Sequence, residues 1–378
     1  MAERFSLKDH LFNPETVARL ASEYAAALPA FDAARFEREA LGGFAERELL
    51  ARLEWMADCL EGQLAPDFPA MAAELEAAMP APLDPALTDD DFGHFIHALP
   101  GILAVRHGLE DHRDRALDLI HEGTRRFSME FYIRPFLNRW PEETLARLAT
   151  WAKDDNYHVR RLVSEGTRPK LPWAKAVRLS PAQTLPLLDR LHGDPTRYVT
   201  RSVANHLNDI AKTENTLVVE TLEDWARRGQ QDRPELNWMA RHALRTLIKQ
   251  GDQGALGYLG YRGDVPVRAR LDLGARTVRI GDQMRVSCRL ETEVDLPVIV
   301  DYRVAFMRPN GKTAEKVFKL KTTEVKAGVP LEIGKNHRLK GDATTFTWHP
   351  GPHAVVLQVN GRDVARAGID VLAGVGRG

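Results

Sequence analysis

An internal repeat of about 40 residues constrains this chain more than any other feature of its sequence. VRRLVSE (159–165), VTRSVAN (199–205) and MARHALR (239–245) align without gaps, and each follows a helix-patterned run: ETLARLATWAKDD, QTLPLLDRLHGD and VVETLEDWARRG. Within the blocks Val159 stands one helical turn from Val163, Val199 from Val203 and Met239 from Ala243, so these residues share a buried face. Arg161, Arg201 and Arg241 fall on another face, where a solvated surface or inter-repeat ion pairs are the ordinary reading. A helix pair recurring at this period buries its apolar stripe by stacking on its neighbours. The spacing predicts a HEAT-like α-solenoid in preference to a helical bundle.

Helical patterning also runs from Pro14 to about Met79, punctuated by Pro29, Pro66 and Pro69, and resumes from about residue 93 to 250 after the link PAPLDPALTDDDF (80–92). Around Tyr258 to Val265 the character changes. RARLDL, QMRVSCRLETE, VIVDYRVAFM, KVFKLKT, HAVVLQV and RAGIDVL read as strands, and RPNG (308–311) and VNGRD (359–363) as Asn-Gly hairpin turns. About seven short strands over some 110 residues suggest an immunoglobulin-like β-sandwich without the paired cysteines of antibody domains. The expected architecture is mainly α, with a helical repeat domain over 1–262 and a sandwich over 263–378. Cys59 and Cys288 then lie in different domains, which offers no disulfide framework or zinc knuckle and fits a reducing cytosol.

The net charge of −1 averages unlike regions: residues 1–100 hold 7 Lys and Arg against 19 Asp and Glu, leaving 45 against 34 downstream. That basic excess suits a nucleic-acid groove. No apolar run has the length of a signal peptide or of a membrane span, so a cytoplasmic, soluble, monomeric protein is expected. NGKT (310–313) has the end of a phosphate-binding loop, yet the upstream glycine position is Phe306 and the surroundings read as a hairpin. His94 and His97 share a helical spacing with no further ligand at metal-site distance. No Gly-x-Ser-x-Gly elbow, Walker loop or dinucleotide fingerprint occurs, and neither cofactor nor metal is expected.

The segments SLKDHLFNPETVARLA (6–21), FSMEFYIRPFL (127–137), RRLVSEGTRPKLPW (160–173) and RSVANHLNDIAK (201–212) resemble the AlkC branch of the alkylpurine DNA glycosylases with HEAT-like repeats. The resemblance spans the helical part almost end to end, and the sandwich is similar to the immunoglobulin-like domain found in a subset of that branch. It implies a curved clamp on duplex DNA that removes alkylated bases, with Glu165 in SEGTRP, Asp209 in LNDIAK and Glu130 in SMEFYIRP as the acidic residues at the lesion and Trp173 in KLPW as the aromatic one. It also implies bent DNA with the lesion approached in the stack. His158, Arg160, Arg161, Arg197, Arg201 and Lys212 are the candidate phosphate contacts.

Read without the resemblance, these residues say less. Glu165 closes a helical run, where the helix dipole disfavours a negative charge by about 0.3–1 kcal/mol. Asp209 sits in an apolar-periodic helix and would by default face solvent, and Trp173 would pack between repeats. A non-catalytic repeat scaffold binding nucleic acid or protein is the competing reading.

Overall fold

The computed structural model describes residues 5–87, 92–307, 313–341 and 346–374. The chain divides into two compact units, residues 1–210 with 225–242 and residues 211–224 with 243–378.

The first unit is helical. Of its early helices Pro14–Ala27, Ala33–Gly42, Leu49–Glu61 and Phe68–Ala77, all but Leu49–Glu61 begin where a side chain meets an orphan backbone N–H: Asn13 accepts from the Thr16 N–H, Asp32 from that of Arg35 and Asp67 from that of Ala70. The repeat appears as the pairs Pro141–Trp151 with Tyr157–Gly166 and Pro181–Leu191 with Arg197–Ile210; in the next pair, Asn215–Arg228 and Arg233–Ala243, residues 215–224 and Ala243 belong to the second unit. In the second helix of each pair Val159, Val163, Val199, Val203, Met239 and Ala243 are fully buried, as the aligned blocks require. Polar contacts also recur across repeats. The Trp225 ring stacks on His192 at 4.4 Å while its Nε1 donates to Asp189 at 2.7 Å. These elements make an α-solenoid. Among the described residues no helix is long and apolar enough to cross a membrane.

The second unit carries the sandwich. Eight strands, β1 (Arg268–Asp272), β2 (Thr277–Arg279), β3 (Gln283–Glu291), β4 (Leu296–Met307), β5 (Thr313–Val325), β6 (Leu331–Arg338), β7 (Gly351–Val359) and β8 (Arg362–Leu372), form two sheets ordered β1-β3-β6 and β2-β8-β7-β4-β5. All pairs are antiparallel except β2 with β8. Alternate residues of both sheets, such as Met284, Val286, Tyr302, Val304 and Val355, close on Trp348 in one cluster. The β7–β8 turn matches its sequence signature: Asn360 and Gly361 have φ of 46° and 75°. Asn360 also accepts from the Ile299 N–H at 2.9 Å and donates to the Arg262 and Pro297 carbonyls. The six strand-like runs correspond to β1, β3, β4, β5, β7 and β8. β2 has three residues, and β6 buries only Ile333 and His337, so neither leaves a period-2 apolar signal. RPNG and the first three residues of NGKT lie outside the described residues.

Helix packing in the first unit predicts one sharp sensitivity. A Cβ at Gly108 would stand 2.4 Å from the Ala116 Cβ and 2.8 Å from the Phe68 ring, inside a close helix crossing. Gly108→Ala should therefore cost about 1–3 kcal/mol, read as a lowered thermal midpoint. A midpoint equal to the wild type would show that this crossing has slack.

Candidate active site

Three acidic residues and two arginines form a chain of alternating charge inside the first unit. Glu130 stands between Met129 and the helix Ile133–Arg139, Arg161 and Glu165 on the helix Tyr157–Gly166, Arg168 just beyond it, and Asp209 on the helix Arg197–Ile210. Arg161 Nη1 donates to Glu130 Oε2 at 2.8 Å, and its Nη2 lies 3.7 Å from Glu165 Oε2. Arg168 Nη1 reaches Glu165 Oε1 at 2.6 Å, while its Nε and Nη2 both meet Asp209 Oδ2 at 2.9 Å. Hydroxyls complete the shell: Ser128 donates to Glu130 Oε2 at 2.7 Å and Ser202 to Glu165 Oε2 at 2.6 Å.

The Glu165 and Asp209 side chains are only 6% and 4% exposed, which is unusual for carboxylates unless cations meet them. Burial pushes the Glu165 carboxyl up, but the Arg161 and Arg168 guanidiniums, with hydrogen bonds from Ser202 and Arg168, outweigh it and hold the group below its usual value. Burial draws the neighbouring His206 down to about 4, so its ring is neutral near pH 7. Its Nδ1 lies 3.1 Å from the Ser164 carbonyl.

The aromatic candidate is placed differently from a packing residue. Trp173 is 69% exposed and has φ of 64°, a left-handed backbone that is strained for so bulky a residue. Its loop is anchored from beneath by the fully buried Arg134, which donates to the carbonyls of Gly166 at 3.0 Å and Arg168 at 2.9 Å and also to that of Lys175.

The six phosphate candidates separate by environment. His158 is buried against Tyr157 and Tyr198. Arg160 is paired with Asp194 and donates to the Asp154 and Asp155 carbonyls. Arg161 belongs to the charge chain, with its guanidinium carbon 4.6 Å from the Tyr198 ring. Arg197 pairs with Glu235 and lies 3.9 Å from the Trp238 ring, and Arg201 approaches Tyr198 at 5.7 Å. Lys212 is exposed. Sequence reasoning missed Arg168, Arg134, Ser202 and His206. Arg168 stands inside SEGTRP, and the separation of 41 positions between it and Asp209, about one repeat, was the available signal.

Elsewhere, His94 Nε2 meets Arg19 Nη1 at 3.1 Å and His97 Nε2 meets Glu23 at 3.0 Å. No group of three or more His, Cys, Asp or Glu among the described residues is arranged to hold a metal ion.

The Arg134 anchor makes a testable prediction. Arg134→Met removes a charged donor from three carbonyls, so about 2–3 kcal/mol of stability should be lost. Hydrogen exchange should rise in residues 166–175 more than in the helix Arg197–Ile210. Uniform protection across both segments would show that the loop does not depend on this side chain.

Comparison with known proteins bears on this geometry. Residues 268–373 match the family model described as the C-terminal Ig-like domain of the uncharacterised protein YhaZ. The uncharacterized protein YhaZ of Bacillus subtilis is 33% identical over 280 residues, covering 72% of this chain and 76% of that protein. The solved structure of Pseudomonas fluorescens alkylpurine DNA glycosylase AlkC, bound to DNA containing an abasic-site analogue, is 33% identical with a TM-score of 0.85, and the match covers 98% of this chain and 100% of that one. With the helical repeats, the sandwich and near-complete coverage in agreement, the chain belongs to the AlkC-type family of HEAT-like repeat alkylpurine DNA glycosylases, in the subset with a C-terminal immunoglobulin-like domain.

Proposed function

We propose that this protein hydrolyses the N-glycosidic bond of positively charged alkylated bases in duplex DNA during base excision repair, with 3-methyladenine as the type lesion and 3-methylcytosine as a second candidate. The buried chain Glu130–Arg161–Glu165–Arg168–Asp209 carries the reading. A base alkylated at a ring nitrogen bears positive charge and leaves without protonation by an acid. The remaining work is to stabilise the oxocarbenium-like sugar and to aim a water at it. A carboxylate such as that of Glu165, ion-paired in a partly dehydrated site, does both, because its field needs no reorganisation as the cation develops.

Trp173 adds selectivity in this scheme. An exposed indole in a strained loop offers its face to a cationic base, and that attraction of about 0.5–2 kcal/mol is absent for a neutral one. Arg197, Arg201 and Lys212, on the more accessible positions, supply phosphate contacts, while His158, Arg160 and Arg161 serve the interior of the helix pairs. The sandwich assists DNA engagement. Lys316, Lys319 and Lys321 lie on β5, an edge of the five-stranded sheet, and Lys335 and Arg338 on β6, an edge of the three-stranded one. Bending a duplex by tens of degrees costs of order 1–6 kcal/mol, which contacts from a second domain help to offset.

Release of free base from N3-methylated duplex DNA by the purified chain tests the reading against a non-catalytic scaffold, which would bind and release nothing. Glu165→Gln and Asp209→Asn should fold, bind DNA and excise at least about tenfold more slowly, a barrier change of about 1.4 kcal/mol. Full activity in both variants would remove the site assignment.

For the sandwich, the double change Lys319→Gln and Lys321→Gln should weaken DNA binding and flatten the dependence of log affinity on log salt by about two. An unchanged slope would leave these lysines the task of guarding an edge strand against pairing.

A further inference from the structure

Arg168 is the point at which two repeats exchange charge. Its guanidinium is 12% exposed and spans Glu165, from one second helix, and Asp209, from the next, at 2.6 and 2.9 Å. We propose that Arg168 is a positioning residue whose guanidinium, bridging Glu165 and Asp209, fixes the Glu165 carboxylate for the substrate sugar. The proposal rests on the glycosylase reading above.

Both carboxylates touch one guanidinium, so they are close neighbours in a site largely closed to water. Two buried carboxylates in such proximity do not both stay charged unless a cation lies between them, because like charge and desolvation each favour a proton on one of them. A planar guanidinium fork serves this purpose better than a point charge, since separate N–H groups fix two acceptors at once.

The other charges around Glu165 are differently occupied. Arg161, on the same helix, makes its short contact with Glu130 at 2.8 Å and stands 3.7 Å from Glu165. Arg134, on the helix Ile133–Arg139, gives its donors to backbone carbonyls, and burial with the nearby Arg168 draws it down to about 10, so it stays charged near pH 7. From the helix Arg197–Ile210 the Tyr198 phenol is pushed up by burial and His206 down to about 4. Burial is the main cause for both groups and Arg168→Gln leaves it in place, so Glu165 is the group whose ionisation the variant changes most.

The test is single-turnover base release from N3-methylated duplex DNA by the full chain, measured from pH 5.5 to 9. In the wild type Glu165 is charged throughout and imposes no acidic limb. In Arg168→Gln it takes up a proton as pH falls, so an acidic limb appears, displaced upward by about one to three units. The rate deficit against wild type should be at least about tenfold larger at pH 6 than at pH 8.5. Arg168→Lys should keep the wild-type pH profile with a lower plateau, because the charge remains and the fork is lost.

Parallel pH profiles in wild type and Arg168→Gln, whatever the change in thermal midpoint, would mean a structural role and overturn the proposal. So would an Arg168→Lys plateau equal to wild type if Arg168→Gln does not fold. Wild-type protein that releases no base removes the proposed function, and the charge argument is then read from stability alone. A carboxyl held low stabilises the fold above the unfolded carboxylate range and loses that contribution as pH falls through its folded value. In Arg168→Gln the Glu165 carboxyl is instead raised, so the variant should lose stability relative to wild type as pH rises from about 4.5 to 8. A difference in thermal midpoint that does not change with pH overturns the role independently of activity.

Discussion

Charged groups buried at the junction of stacked helix pairs set the conditions that the rest of the helical unit satisfies. Taking a carboxylate out of water costs several kcal/mol even after relaxation, and attraction to a guanidinium repays it only when geometry is good and the remaining lone pairs are met. Glu165 satisfies both conditions through Arg161, Arg168 and Ser202. Such a cluster tolerates little displacement. Its partners sit on different repeats, so the stacking of Val159 and Val163 near Val199 and Val203 fixes the electrostatics as well as the core.

The period of the fold reappears in the polar contacts. Arg168 meets Asp209 across 41 positions, Ser202 meets Ser164 across 38, His206 meets the Ser164 carbonyl across 42, and Arg134 meets the Lys175 carbonyl across 41. Each separation is close to one repeat. Equivalent positions on successive second helices lie side by side, so a residue near the end of one helix finds its partner one period later. Buried charge thus collects at a repeat junction, where two helices and the loop between the pairs converge.

The sandwich solves a different problem. Both sheets end in strands with unpaired backbone edges, and the lysines on β5 and β6 place charge there. Charge at an edge discourages strand addition. Asn360 shows how its turn is secured, since one side chain binds the Ile299 N–H and two carbonyls.

Sequence by itself determined the helix-pair period, the buried stripes of Val and Met, the change to alternating strands near residue 265, and the β7–β8 turn at Asn360–Gly361. These follow from local periodicity and turn chemistry, which a linear pattern records directly. The motif-bearing residues Glu130, Glu165, Asp209 and Trp173 were legible through resemblance, and their separate environments were not. Tertiary structure alone decided that Asp209 is buried where an amphipathic helix suggested solvent, and that Trp173 is exposed where packing was the ordinary expectation. It likewise gave β6 its place as a strand through pairing with β3, although its own pattern is largely polar. The physical reason is common to all three. Burial of a charge, strain in a loop and pairing of a polar strand depend on partners tens of residues away, and nothing in the local sequence encodes which partner arrives.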